Sequence, residues 1–151
     1  MSAQAAGDGV EIHSGAWTLR VTALTDDILR VRAAASGALP EDASWAVPEE
    51  MRHRSVRLRL EQNADSIEFK TASMAVRIER SPLRIIVSDL EGHVISADRP
   101  TVALEQSANG FVLHKELFQK EHIFGLGDKT GPLDRPGLVA QTKNEIGRAH
   151  V

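Results

Sequence analysis

At 151 residues the chain suits one domain with its own hydrophobic core. A formal net charge of −3 gives no electrostatic case for nucleic acid or an anionic membrane surface as partner. The absence of cysteine excludes disulfides, thiolate metal sites and cysteine nucleophiles together.

The N-terminal stretch 1–9 is small and polar, with no basic and apolar leader pattern, and is expected to be flexible. No segment approaches the roughly 20 apolar residues needed to cross a bilayer as a helix. Together with the missing cysteines, this makes a soluble, cytoplasmic protein the expectation.

Period-two alternation then dominates. Trp17, Leu19, Val21 and Ala23 share one face and Thr18, Arg20 and Thr22 the other. Leu29 and Val31 alternate with Arg30 and Arg32, and Val56, Leu58 and Leu60 oppose Arg57, Arg59 and Glu61. Ile67 and Phe69 oppose Glu68 and Lys70; Met74, Val76 and Ile78 oppose Arg77 and Glu79; Leu83, Ile85 and Val87 continue the series. Strands with one buried and one wet face require this pattern, whereas a helical period would put arginines in the core.

Asp26-Asp27, Asn63-Ala-Asp65, Ser81-Pro82, Asp89-Leu-Glu-Gly92, Asp98-Arg-Pro100 and Ala108-Asn-Gly110 punctuate the runs as turns. Residues 34–54 differ. They carry Pro40, Trp45, Pro48 and several acids, and read as a long loop over a sheet, anchored by Trp45. The expected fold is therefore all-β, an antiparallel sandwich with strands from Val10 to about Leu126.

The stretch Phe124-Gly-Leu-Gly-Asp-Lys-Thr-Gly-Pro-Leu-Asp-Arg135 reads as a strand end running into a charged, glycine-shaped loop. It fails both the dinucleotide fingerprint and the phosphate-binding loop, because Pro132 and Pro136 interrupt any helix and Lys129 follows Asp128 rather than glycine. The six histidines are scattered singly, so no metal site is expected. Asp128 and Asp134 share one loop with no opposing wall, which favours structural ion pairs over a catalytic carboxylate pair.

That same stretch resembles the segment closing the N-terminal domain of glycoside hydrolase family 31, the bacterial α-glucosidases. Members commonly read F/Y-G-L-G-E/D-K-T-G-x-L there. Asp26-Asp-Ile-Leu-Arg-Val-Arg32, Ser44-Trp-Ala-Val47 and the hairpin from Leu83 to Ser96 also resemble that domain, so the likeness covers about residues 9–140. The resemblance implies a galactose-mutarotase-like β-sandwich followed, in the parent enzyme, by a (β/α)8 barrel that carries both catalytic aspartates. No segment here matches the barrel motifs.

Carried over by motif, Asp128, Lys129, Thr130, Asp134 and Arg135 would shape the loop beside the sugar pocket, with no catalytic residue, metal or cofactor in this chain. Members usually continue into a tryptophan-asparagine-x-aspartate stretch; Leu138-Val-Ala-Gln-Thr-Lys-Asn144 lacks that tryptophan. The resemblance implies as partners the parent's barrel and its carbohydrate, with neither nucleic acid nor membrane. It delimits a sandwich domain at 10–140 and a truncated end at 141–151.

Glu145-Ile-Gly-Arg-Ala-His-Val151 is what one frame of a common short-read sequencing adapter encodes, so 145–151 is expected to be a non-native tail. The isolated chain is expected to be inactive as an α-glucosidase. The alternative is a stand-alone carbohydrate-binding or interaction sandwich, against which the 4% aromatic content weighs.

Overall fold

Alternation along the chain becomes three antiparallel sheets in the computed structural model, which describes residues 2–35, 37–44, 46–54, 56–107, 110–118, 121–125 and 131–136. The first sheet runs in sequence order through β1 (Ser2–Ala6), β2 (Gly9–Ser14), β3 (Trp17–Ala23) and β4 (Leu29–Ala34). One helical turn, α1 (Glu49–Arg52), precedes the second sheet. That sheet is also sequential: β5 (Arg59–Gln62), β6 (Ser66–Lys70), β7 (Ala75–Arg80), β8 (Leu83–Ser88) and β9 (Val94–Ala97). A separate ribbon pairs β10 (Leu104–Ser107) with β11 (Gly110–Leu113), flanking positions 108–109. Residues 1–116 and 117–151 form two compact units, and the sheets all belong to the first.

One core joins the two larger sheets. Val10, Ile12, Leu19 and Val21 from the first pack in a single buried cluster with Ile67, Phe69, Val76, Ile78 and Ile85 from the second. Leu19, Val21, Ile67, Phe69, Val76, Ile78 and Ile85 are residues that alternation assigns to buried faces, and their burial removes apolar area from water; Val31, assigned with them, is 50% exposed. The expected all-β antiparallel sandwich is the fold observed. The Asp26 turn also ties the sheets together: its carbonyl accepts from Thr71 Oγ1 at 2.6 Å, and its Oδ1 from the Ala72 amide at 3.2 Å.

Several boundaries differ from the reading of the sequence. The stretch 1–9 is not a loose lead-in, because Ser2–Ala6 pairs with β2, with Ala3 opposite Ile12 and Ala5 opposite Val10. Small side chains sufficed there, since Ala3 packs on the core's margin rather than filling it. Val56 and Leu58 alternate in burial with exposed Arg57, yet ladder pairing begins only at Arg59. Strands end at Leu113 among the described residues rather than near Leu126.

The wet face assigned to β3 is also partly covered. Thr18 and Thr22 are buried, and the Thr18 hydroxyl donates to the Gly37 carbonyl at 2.6 Å. The crossing loop therefore seals one end of that face.

That loop is the long segment 34–54, interrupted by α1. Trp45, its expected anchor, lies outside the described residues. Among the described residues the fastening is ionic. Arg30 grips Asp42 in a two-pronged contact at 2.6 and 2.7 Å, while Arg32 stands 3.5 Å and Arg52 3.9 Å from the same carboxylate. Arg52 also donates to the carbonyls of Ser44 and Val47 at 2.8 and 2.7 Å.

The Arg30 hydrogen bond, the largest influence, holds the Asp42 carboxyl below its ordinary value. A depressed carboxylate contributes stability above its unfolded value of about 3.9, and loses it as pH falls through the lower folded value. Asp42→Asn is therefore expected to lower stability by a constant amount above pH about 5 and to flatten the acid limb below it. Urea midpoints between these limits check it; an unchanged acid limb contradicts it.

Gly9 supplies a second structural test. A Cβ built there would lie 1.9 Å from the Val21 carbonyl oxygen and 2.9 Å from the Thr22 Cα. Both are backbone atoms of the paired strand, so neither can swing aside. Gly9→Ala is expected to cost about 1–3 kcal/mol through this overpacking, read as a lowered urea midpoint. A wild-type midpoint would show that β2 and β3 do not approach this closely.

Candidate functional site

The charged loop flagged in the sequence belongs to the second unit, residues 117–151. Asp128, Lys129 and Thr130 lie outside the described residues; Asp134 and Arg135 are described. The chain around them is shaped by two glycines in left-handed backbone, Gly125 at φ 97° and Gly131 at φ 121°. An L side chain is strained at such angles, so glycine is required at both turns.

Asp134 reaches back to the segment that precedes the motif. Its Oδ1 accepts the Ile123 amide at 3.0 Å, and its Oδ2 lies 2.5 Å from His122 Nδ1. One residue further on, the Arg135 amide donates to the Ile123 carbonyl at 2.8 Å. The Arg135 guanidinium turns to the Pro132 carbonyl, 3.0 Å from its Nε. Here the strand expected toward Leu126 gives way to a side-chain clasp. The Ile123 amide finds a carboxylate instead of a neighbouring strand, and the Phe118 amide is taken by Glu121 Oε2 at 2.7 Å.

Sequence reasoning missed His122. A search for two histidines at metal-ligand spacing passes over a histidine whose partner is an aspartate twelve positions away. The available signal was the charged loop itself, since a chain that turns at two glycines returns its acids toward the preceding run. The imidazole is stacked with the Phe124 ring, centroids 6.0 Å apart and planes 19° from parallel.

The His122 hydrogen bond, the largest influence, holds the Asp134 carboxyl below its ordinary value. At neutral pH it is thus a carboxylate with its oxygens already engaged. A general acid for glycoside cleavage needs the opposite shift, upward, to keep its proton. Asp134 is suited to holding a neighbour in place. No group of three or more metal-ligating side chains occurs among the described residues, and no described helix is long and apolar enough to cross a membrane.

Two sequential antiparallel sheets sharing one core, with a glycine-shaped loop after them, define an all-β sandwich. The chain belongs to the family described as the glycosyl hydrolase 31 N-terminal galactose mutarotase-like domain, whose model matches residues 18–145.

Solved structures share the fold. A GH31 dextranase from Flavobacterium johnsoniae, complexed with glucose, superposes with a TM-score of 0.78 at 20% identity, over 89% of this chain and 17% of its own. A GH31 α-xylosidase from Xanthomonas citri gives 0.52 at 19% identity, over 73% and 12%. The cycloalternan-forming enzyme from Listeria monocytogenes gives 0.54 at 18%, over 68% and 9%. The chain thus spans about a sixth or less of the length of these enzymes. Comparison with curated proteins gives no match.

Proposed function

We propose that this chain is the accessory N-terminal sandwich of a retaining glycoside hydrolase acting on α-linked glucosides. In this reading the parent enzyme cleaves through a glycosyl intermediate on a barrel aspartate, and the sandwich at 10–140 contributes no catalytic carboxylate. The barrel is then its covalent partner, and carbohydrate reaches the sandwich beside the pocket they share. Asp128, Lys129, Thr130, Asp134 and Arg135 shape that pocket's wall, and 145–151 is a non-native tail. A cytoplasmic location agrees with the cysteine-free composition.

The observation that carries the reading is the family match over 18–145. The ionised, clasped state of Asp134 supports the division of labour, since it leaves that residue unfit to donate a proton to a leaving sugar. Galactose-mutarotase-like sandwiches occur in enzymes named for different sugars and linkages, so the choice of α-glucosides rests on the sequence motif.

The expected result with purified chain is no release of nitrophenol from nitrophenyl α-glucoside. A polypeptide extended through the barrel should hydrolyse it with retention at the anomeric carbon. Turnover by the 151-residue chain, persisting in an Asp134→Asn variant, would defeat the assignment of catalysis to the barrel. Turnover of xylosides alone by the extended enzyme would correct the substrate.

A further inference from the structure

We infer that His122 and Phe124 form a sugar-contacting unit held in register by Asp134, a binding role that rests on the reading just proposed. Asp134 is a carboxylate and therefore accepts only, so the hydrogen in its 2.5 Å contact with His122 sits on Nδ1. In the neutral imidazole this leaves Nε2 with its lone pair, as an acceptor for a hydroxyl hydrogen. Asp134 Oδ1 also accepts the Ile123 amide, which holds the carboxylate toward Nδ1.

The second half of the unit is apolar. Phe124 lies 59% exposed, and the His122 side chain 62% exposed, with the two rings stacked at 6.0 Å. A clasp that served only to satisfy the Ile123 amide would need Asp134 and no exposed aromatic pair. A large exposed aromatic beside a fixed hydrogen-bond acceptor suits an amphipathic ligand. A pyranose has this character: C–H groups on its face pack on the Phe124 ring, while a hydroxyl at its edge donates to His122 Nε2. Gly125 is left-handed at φ 97°, and a Cβ there would meet nothing within 4 Å among the described residues. Asp134 is thus a positioning residue, while His122 and Phe124 touch the ligand.

The test is a titration of the full 151-residue chain with methyl α-glucoside and maltotriose, followed by side-chain NMR. Sugar at about 50 mM should saturate a site of millimolar Kd. The expected result is movement of the His122 Hε1 and Nε2 signals and the Phe124 ring signals, with the nitrogen shifts reporting an Nδ1–H tautomer. Asp134→Asn should mix the tautomers and weaken binding about tenfold, or about 1.4 kcal/mol. Phe124→Ala should abolish the perturbation at His122. His122→Gln, which keeps an amide acceptor, should retain part of the perturbation at the Phe124 ring, and far-ultraviolet circular dichroism confirms that each variant folds.

No movement at either ring at the highest sugar concentration overturns the inference, as does an Nε2–H tautomer in the wild-type chain. Either outcome stands apart from the proposed function, which is decided by hydrolysis in the extended polypeptide. An extended enzyme that cleaves α-glucosides with an unchanged KM after His122→Ala would sink this inference alone.

Discussion

Replacing Phe69 by alanine is expected to cost about 3–5 kcal/mol and to leave much of the chain unfolded at 37 °C. Phe69 is 1% exposed, on the inner face of β6, among the largest fully buried side chains. It pairs across the ladder with Leu60 and Val76, and belongs to the cluster that also holds Val10, Ile12 and Val21 of the other sheet. Its removal leaves a cavity lined by both sheets, which antiparallel ladders cannot close without shifting register. Phe69→Leu keeps most of the volume and should cost markedly less. Urea unfolding measures both, and a Phe69→Ala midpoint within error of wild type would show that the two sheets do not share this core.

Asp98→Ala is the second large effect, at about 3 kcal/mol. Asp98 is 3% exposed, and its Oδ2 accepts the Ile85 amide at 2.8 Å, while Lys115 Nζ lies 2.6 Å from Oδ1. Its backbone also bonds that of Ile85 at 2.9 Å, so one residue pins the end of β9 to β8 twice. Arg84 extends the network, donating to the Asp98 carbonyl at 2.7 Å and to Glu116 at 2.9 Å. The carboxylate faces a cleft of about 170 Å³ walled by Leu19, Ala33, Ile85 and Leu104, where the freed Ile85 amide gains little compensation. Asp98→Asn retains an acceptor for that amide and loses only the charge pairing, so it should fall between wild type and Asp98→Ala. Equal midpoints for all three proteins would contradict this account of the cleft.

The contrast between these residues shows what the sequence could carry. Phe69 was legible because Ile67 and Phe69 alternate with Glu68 and Lys70, and a period of two has one physical solution when one face is buried. The hairpin from Leu83 was equally legible, with Asp89-Leu-Glu-Gly92 between its strands and Gly92 at φ 94°. Asp98 was not. In an Asp-Arg-Pro run it has the composition of an exposed turn, and nothing local announces that Lys115 and Ile85 will meet it.

Thr18 and Thr22 escaped for a related reason. Alternation assigns them to the second face of β3, and only the path of the loop through Gly37 determines that this face is covered at Thr18. Strand β1 has little apolar signal of its own, and depends on the glycine-aspartate turn at Gly7-Asp8 returning the chain to β2.

The candidate site divides in the same way. Family resemblance and glycine punctuation marked the loop and named Asp134 and Arg135, which the structure places against Ile123. They did not identify His122, because its partner is distant in sequence and its role depends on which nitrogen carries a proton. Of the charges on this loop, read as structural ion pairs, the Asp134 carboxylate fastens a clasp onto His122 and the Ile123 amide. On the proposed reading, the acids that cut the glycosidic bond belong to the barrel, and the clasp contributes recognition at its edge.

The most direct test of that reading is the genomic DNA beyond codon 144. The account predicts an open frame that departs from Glu145-Ile-Gly-Arg-Ala-His-Val151 and continues into a (β/α)8 barrel bearing two catalytic aspartates. A genomic stop codon directly after Val151, with those seven codons intact, would contradict it.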